Sequence, residues 1–212
     1  MGRWRGTNGA WSWRTRLKEA LPYPLTCAIA RLVNRPFLAD IQRSERLVEY
    51  AWVLHHVKGP RIADVGYAGS YLAEALCLFG TVVGVDPRET PAITHPHFRR
   101  EAKLSHGAPY ETVVCVSVLE HLPRREAHWL LWQMVESLTP TGQALVTVPC
   151  GSEGPFHGYQ PFSEAELEVW PGVQTVQVVT RQAGPNQEHL VTRVALVQLG
   201  PIPPRPPVGP SS

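Results

Sequence analysis

No stretch of the chain approaches the roughly 18 uninterrupted apolar residues of a membrane-spanning helix. The four cysteines, Cys27, Cys77, Cys115 and Cys150, are widely spaced and form no Cys-x-x-Cys pair. That spacing argues against a zinc site or a disulfide framework, and the three that lie in apolar runs read as buried reduced thiols. An excess of either charge is also missing. Twenty Lys and Arg against eighteen Asp and Glu leave a formal charge of +2, too even for a nucleic-acid footprint over the whole surface. The N-terminal Met1-Gly2-Arg3-Trp4-Arg5-Gly6 lacks the Ser or Thr of a myristoylation signal, so the expected location is cytoplasmic. Charged residues make up only 18% of the chain, below the roughly 25% of average soluble proteins. What remains is 43% hydrophobic over 212 residues, enough for one domain of about 100–200 residues with short extensions. No internal repeat is present.

The composition divides the chain in three. Residues 1–40 form a basic, Trp-rich extension: Arg3, Arg5, Arg14, Arg16 and Lys18 stand against Glu19 and alternate with Trp4, Trp11 and Trp13. Such an arm suits a phosphorylated or anionic partner, or packs its tryptophans on the domain as a loosely ordered terminus. Residues 41–199 carry the folded pattern. Residues 200–212 hold six prolines in thirteen positions, a composition that favours extended geometry and reads as a disordered tail.

Within the middle segment, short β-branched runs alternate with helical periodicities. Leu47, Ala51, Leu54 and Val57 repeat at helical spacing and predict a helix over residues 41–57. Strands are expected at Arg61–Val65 and Thr81–Asp86, with a helix from Tyr71 to Phe79 between them, which makes a βαβ unit. A further strand at Thr112–Ser117 precedes an amphipathic helix at Arg124–Leu138. After a turn at Thr139-Pro-Thr-Gly142 comes a strand at Gln143–Val148. The continuous apolar character of these strands marks them as buried on both faces, as in a parallel sheet. Phe162-Ser163-Glu-Ala-Glu166 has the capping-box and staple pattern, so a helix should begin at Ser163. Val173–Thr180 and Leu190–Leu199 flank Gly184-Pro-Asn186 as a final hairpin. The fold class is therefore α/β: a doubly wound, mostly parallel sheet ending in an antiparallel hairpin.

In such a sheet, ligands bind beyond the carboxyl ends of the strands, where the loop after the first strand meets a helix. That loop is Asp64-Val-Gly66-Tyr-Ala68-Gly69-Ser70. Gly66 and Gly69 allow a ligand close to the backbone, and Ala68 and Ser70 are nearly as small. Asp86 ends the next strand, where a carboxylate can accept both hydrogen bonds of a ribose diol. A bound nucleoside accounts for both features. The G-x-G-x-x-G pattern of a dinucleotide site is absent, which disfavours a nicotinamide enzyme. The acidic Asp64 two places before Gly66 would repel a pyrophosphate but suits the ammonium of an amino acid.

On these residues the sequence resembles the class I S-adenosylmethionine-dependent methyltransferases, whose domain is Rossmann-like. Their acidic-x-Gly-x-Gly-x-Gly loop corresponds to Asp64–Ser70, and their ribose-binding acid to Asp86. The run from Thr112 to Leu122 resembles their fourth strand and the residues just after it, and Leu138 to Pro149 their fifth. The resemblance implies S-adenosylmethionine as cofactor and methyl transfer as activity. It assigns Asp64, Gly66, Ala68 and Gly69 to the methionine side, Asp86 to the ribose hydroxyls and Ser117 to the neighbourhood of the cofactor. It also places Glu120 and His121 at the substrate mouth. Because methyl transfer relies chiefly on proximity and orientation, a base is needed only where the acceptor must lose a proton. His121 is the first candidate and Glu120 the second.

The chain departs from the family pattern in two places. Ala68 and Ser70 replace two glycines. The acidic residue that contacts adenine after the third strand has no counterpart in Lys103-Leu104-Ser105-His106, leaving adenine to backbone groups and Leu104. Between the second and fourth strands, the prolines of Pro87–His97 and the seven residues of Ser105–Glu111 leave little room for the usual helices. No Asn-Pro-Pro-Tyr tetrapeptide follows the fourth strand, so nucleic-acid base methylation is disfavoured and a small molecule or sugar hydroxyl is the expected acceptor. His95-Pro-His97 lacks a third ligand at suitable spacing, and no metal is expected. A binding module that keeps the fold without turnover is the alternative.

Overall fold

The computed structural model describes Ala28 and residues 46–68, 71–88, 93–151, 160–182 and 191–202. The chain order is α1 (Arg46–His56), β1 (Arg61–Val65), α2 (Leu72–Leu76), β2 (Thr81–Val85), β3 (Phe98–Glu101), β4 (Tyr110–Val116), α3 (Arg124–Glu136), β5 (Leu138–Pro149), α4 (Glu164–Glu168), β6 (Val173–Gln182) and β7 (Val191–Leu199). Single 3-10 turns at Leu104–His106 and Leu119–His121 follow β3 and β4. The seven strands form one sheet in the order β3-β2-β1-β4-β5-β7-β6. The first five run parallel, and β7 enters antiparallel to both β5 and β6. This is the α/β sheet with a terminal hairpin that the pattern predicts.

Alternation along the strands splits the core into two layers. Val113, Cys115, Ala144 and Val146 face α3 and its core residues Leu131, Met134 and Val135. Ile62, Val114 and Leu145 face the opposite layer, which contains Val53 and Leu54 of α1 and Leu72 and Leu76 of α2. Burying both faces explains why β1, β2 and β4 read as unbroken apolar runs. Cys77, Cys115 and Cys150 are free and buried, as expected, whereas Cys27 lies outside the described residues.

Two elements differ from expectation. The Thr139-Pro-Thr-Gly142 segment does not separate α3 from β5; the strand runs from Leu138 through it to Pro149. Tyr110 pairs with Leu138 and Thr112 with Gln143, so a large bulge absorbs the turn-like residues without ending the ladder. Helix α2 stops at Leu76, short of the expected Phe79: Cys77 is still buried in the core, but Leu78 and Phe79 beyond it are 70% and 37% exposed. Between β2 and β4 the described residues contain a 3-10 turn and no longer helix, in keeping with the short connections there. Ser163 caps α4 with a full capping box. Residues 1–27, the turn at Gly184–Asn186 and the tail beyond Ile202 lie outside the described residues. Gly200 and Ile202 still belong to the fold: the Gly200 N–H donates to the Gly172 carbonyl and Ile202 packs on the core.

Candidate functional site

The strand order reverses at β1, which has β2 on one side and β4 on the other. That is the point where a parallel sheet opens a crevice at its carboxyl edge. A cavity of about 740 Å³ lies there. β1 and its loop supply Asp64, Val65, Gly66 and Ala68; the end of β2 supplies Val85, Asp86, Pro87 and Arg88. Val116, Ser117, Val118, His121 and Leu122 follow from β4, Glu126, Trp129 and Leu130 from α3, and Arg46 and Tyr50 from α1. Asp64, Gly66, Ala68, Asp86 and Ser117 thus line one cavity, while Gly69 lies outside the described residues.

The loop after β1 is fixed by close packing. Gly66 has φ +76°, and a Cβ there would sit 2.3 Å from Val118 Cγ2. Only glycine meets both demands. Tyr67 then lays its ring edge-on to Phe98, centroids 5.3 Å apart, across Gly84, where any Cβ would strike both rings. The loop is therefore clamped to β2 and β3 and holds its backbone against the cavity.

Asp64 is 3% exposed, and its Oδ2 has no hydrogen-bond partner among the described residues. Burial, reinforced by the nearby Asp86 carboxylate, pushes its carboxyl up to about 8. Asp86 is the opposite case. Burial alone would raise it, but the Arg88 guanidinium and the Arg88 and Ala68 backbone N–H groups outweigh burial and hold it below its ordinary value. Oδ1 accepts from Arg88 N at 2.8 Å and Arg88 Nε at 3.2 Å; Oδ2 accepts from Ala68 N at 3.1 Å and Arg88 Nη2 at 3.2 Å. Two carboxylates of one cavity are thus driven apart in charge state, a pattern characteristic of functional sites.

Ser117 ends β4 with φ 49°, an unusual conformation for a residue with a side chain. It is anchored from beneath: its hydroxyl donates to Glu49 Oε1 at 2.7 Å, and Thr147 donates to the same oxygen at 2.6 Å. Glu49 is fully buried and pairs with Arg46 at 3.5 Å. Arg46 also donates to the Val116 carbonyl at 3.4 Å. This network ties α1 to the ends of β4 and β5.

His121 lines the cavity, and burial, with Arg46 and Arg88 adding to it, lowers its proton affinity. It is neutral near pH 7 and able to take a proton. Glu120, the second candidate base, is 2% exposed and does not line the cavity. Leu104 does not reach the site either; it is 4% exposed in the core layer under α3. His95 and His97 stack with centroids 5.6 Å apart, and the described residues contain no group of three metal-ligating side chains.

No protein-family model matches the sequence, and no curated protein matches it either. Solved structures do. TehB from Haemophilus influenzae is similar over 68% of this chain at 14% identity, TM-score 0.54, and the chain spans 58% of its length. The Burkholderia thailandensis 1,6-didemethyltoxoflavin-N1-methyltransferase is similar over 88% of this chain and 82% of its own at 18% identity, TM-score 0.50. The chain has the class I methyltransferase fold. The 4+2 cyclase SpnF shares that fold at 12% identity, TM-score 0.53, covering 70% of this chain and 77% of its own. The methyltransferase fold therefore carries more than one chemistry, and the site must decide the function.

Four residues in or beneath the cavity carry no signal strong enough to single them out from sequence: Arg46, Glu49, Arg88 and Trp129. Arg88 was within reach of inference, since it lies two positions after Asp86. Glu49 interrupts the apolar face of α1, a signal that its carboxylate has buried partners.

Proposed function

We propose that this protein binds S-adenosylmethionine in the cavity beside β1 and transfers its methyl group to a small-molecule acceptor. The observation that carries this reading is Asp64, a buried carboxyl lining the cavity whose Oδ2 has no hydrogen-bond partner among the described residues. A buried carboxyl oxygen that the described residues leave unpaired is unfavourable unless a ligand satisfies it, and an ammonium group would restore the acid's charge. Three further features fit the same group. Gly66 keeps the backbone open to close approach, Asp86 presents two oxygens at the ribose position, and the volume suits a nucleoside with an amino-acid arm. The toxoflavin methyltransferase of the same fold is described with S-adenosylhomocysteine bound, in support of this reading.

Bound there, the cofactor supplies an electrophilic sulfonium methyl. Asp64 and Asp86 would hold its two ends, so that the chain's main contribution is orientation. Leu122, Trp129 and Leu130 form an apolar rim that would seat the acceptor and limit water. Neutral His121 would take the acceptor's proton at one ring nitrogen as the new bond forms. An acceptor with a proton to lose, such as a hydroxyl, fits this arrangement.

One observation favours a second reading, a cofactor-binding or partner-binding module without turnover. The segment after β3, Lys103–His106, contributes nothing to the cavity, so the described residues give adenine little of its own. Thermal-shift titration with S-adenosylmethionine, S-adenosylhomocysteine and NAD in parallel tests both readings. A ligand at a hundred times its Kd adds about 2.7 kcal/mol. Stabilisation by the two sulfur nucleosides and not by NAD supports the cofactor; methyl incorporation into an acceptor then separates enzyme from module.

A further inference from the structure

Asp86 is saturated in this structure. A carboxylate offers about four acceptor sites, and four donors fill them: two backbone N–H groups, and Nε and Nη2 of Arg88, one on each oxygen. The backbone donors belong to the fixed loop and strand end. The guanidinium belongs to a side chain that is 70% exposed. Its two bonds, one per oxygen, are the pair that a vicinal diol would make. A ribose can therefore reach Asp86 only by displacing Arg88, whose exposed side chain must leave both carboxylate oxygens and the Ala68 carbonyl, to which its Nη2 also donates at 3.4 Å, while the ribose hydroxyls take over the buried carboxylate.

Displacement by a neutral diol has a consequence for charge. It strips Arg88 of its counter-ion while the guanidinium remains tethered beside the cavity. Arg46, held by Glu49 and the Val116 carbonyl, lines the same cavity. Arg46, Arg88 and His121 all line that one cavity.

We propose that Arg88 is a two-position residue: it occupies the ribose seat on Asp86 in the empty cavity and, once released by the cofactor, joins Arg46 to bind an acceptor bearing a carboxylate or phosphate. Cofactor and acceptor thus bind in order, and each strengthens the other by the same factor. This inference rests on the cofactor reading above.

Calorimetry with S-adenosylhomocysteine tests it without turnover. Arg88→Ala is expected to bind the nucleoside two- to fivefold more tightly than the wild type. At fixed ionic strength, replacing chloride with millimolar inorganic phosphate is expected to tighten nucleoside binding at least twofold in the wild type and to leave Arg88→Ala unchanged. Equal or weaker binding by Arg88→Ala overturns the displacement, and a wild type indifferent to phosphate overturns the anion seat. If neither protein binds the nucleoside, the cofactor reading falls and takes this inference with it. A normal melting temperature for Arg88→Ala, an exposed substitution, excludes misfolding as the cause.

Discussion

Asp64→Asn separates the charge of the buried carboxyl from its shape. In the folded protein the group titrates at about 8, against 3.8 for the unperturbed side chain. The folded state therefore holds a proton that the unfolded state releases between these values, and stability falls as pH rises. The slope is about 1.4 kcal/mol per pH unit for one proton. Between pH 5 and pH 7 the wild type loses about 2.7 kcal/mol from this group. The loss levels off above pH 8, where both states are ionised. An asparagine keeps the shape and does not titrate, and between pH 5 and pH 7 the groups coupled to Asp64 hold one charge state, Asp86 ionised and Cys77 and Cys115 as thiols, so the remaining groups contribute nearly equally to both proteins. The difference between them isolates Asp64. Denaturant or thermal unfolding at pH 5, 6, 7 and 8 should show the variant gaining on the wild type by about 2.7 kcal/mol from pH 5 to pH 7. At about 2–4 °C per kcal/mol for a domain of this size, the gap in Tm widens by roughly 5–11 °C. Parallel pH profiles would refute the claim that Asp64 is held as a neutral acid.

Three further outcomes are expected from the same geometry. Gly66→Ala should destabilise the protein by about 2–4 kcal/mol, because a positive φ and a clash with Val118 act together; an unchanged unfolding midpoint would show that the loop relaxes freely. His121→Gln should reduce methyl transfer at neutral pH while leaving S-adenosylhomocysteine affinity within twofold. In the wild type, the acid limb of kcat/KM should fall below pH 6.5, since burial and then Arg46 and Arg88 disfavour the imidazolium; a limb above 6.5 would remove His121 as the base. Ser163→Ala should lower stability by about 1 kcal/mol, because it removes the hydroxyl that closes the capping box with Glu166; no change in Tm would mean the cap is redundant.

Local signals made most of the scaffold legible. β1 and β2 are buried on both faces, so their apolar runs coincide with the strands, and Ser163 announces α4 through contacts within four residues. β5 was obscured because Pro140 and Gly142 ordinarily stop a strand, yet pairing with β4 resumes at Gln143 and overrides them. The same division holds in the site. Asp64, Gly66 and Asp86 sit at the carboxyl ends of the neighbouring strands β1 and β2, so short-range pattern alone brings them to the cavity. Glu49 differs, since its partners Ser117 and Thr147 lie 68 and 98 residues away and meet it only when α1 packs on the sheet. Arg88 was hidden differently: reading Asp86 as a ligand-binding acid left no place for a side chain of the protein itself upon it.

Whether Asp64 waits beside the cavity for the ammonium end of the cofactor is decided by calorimetry of S-adenosylhomocysteine in two buffers of different ionisation enthalpy at pH 7. With the carboxyl at about 8, about 0.9 of a proton occupies it before binding and should leave as the ammonium arrives. One nucleoside bound per chain is expected, with that proton release in the wild type and its loss in Asp64→Asn. No binding, or binding with equal heat in both buffers, would contradict the assignment.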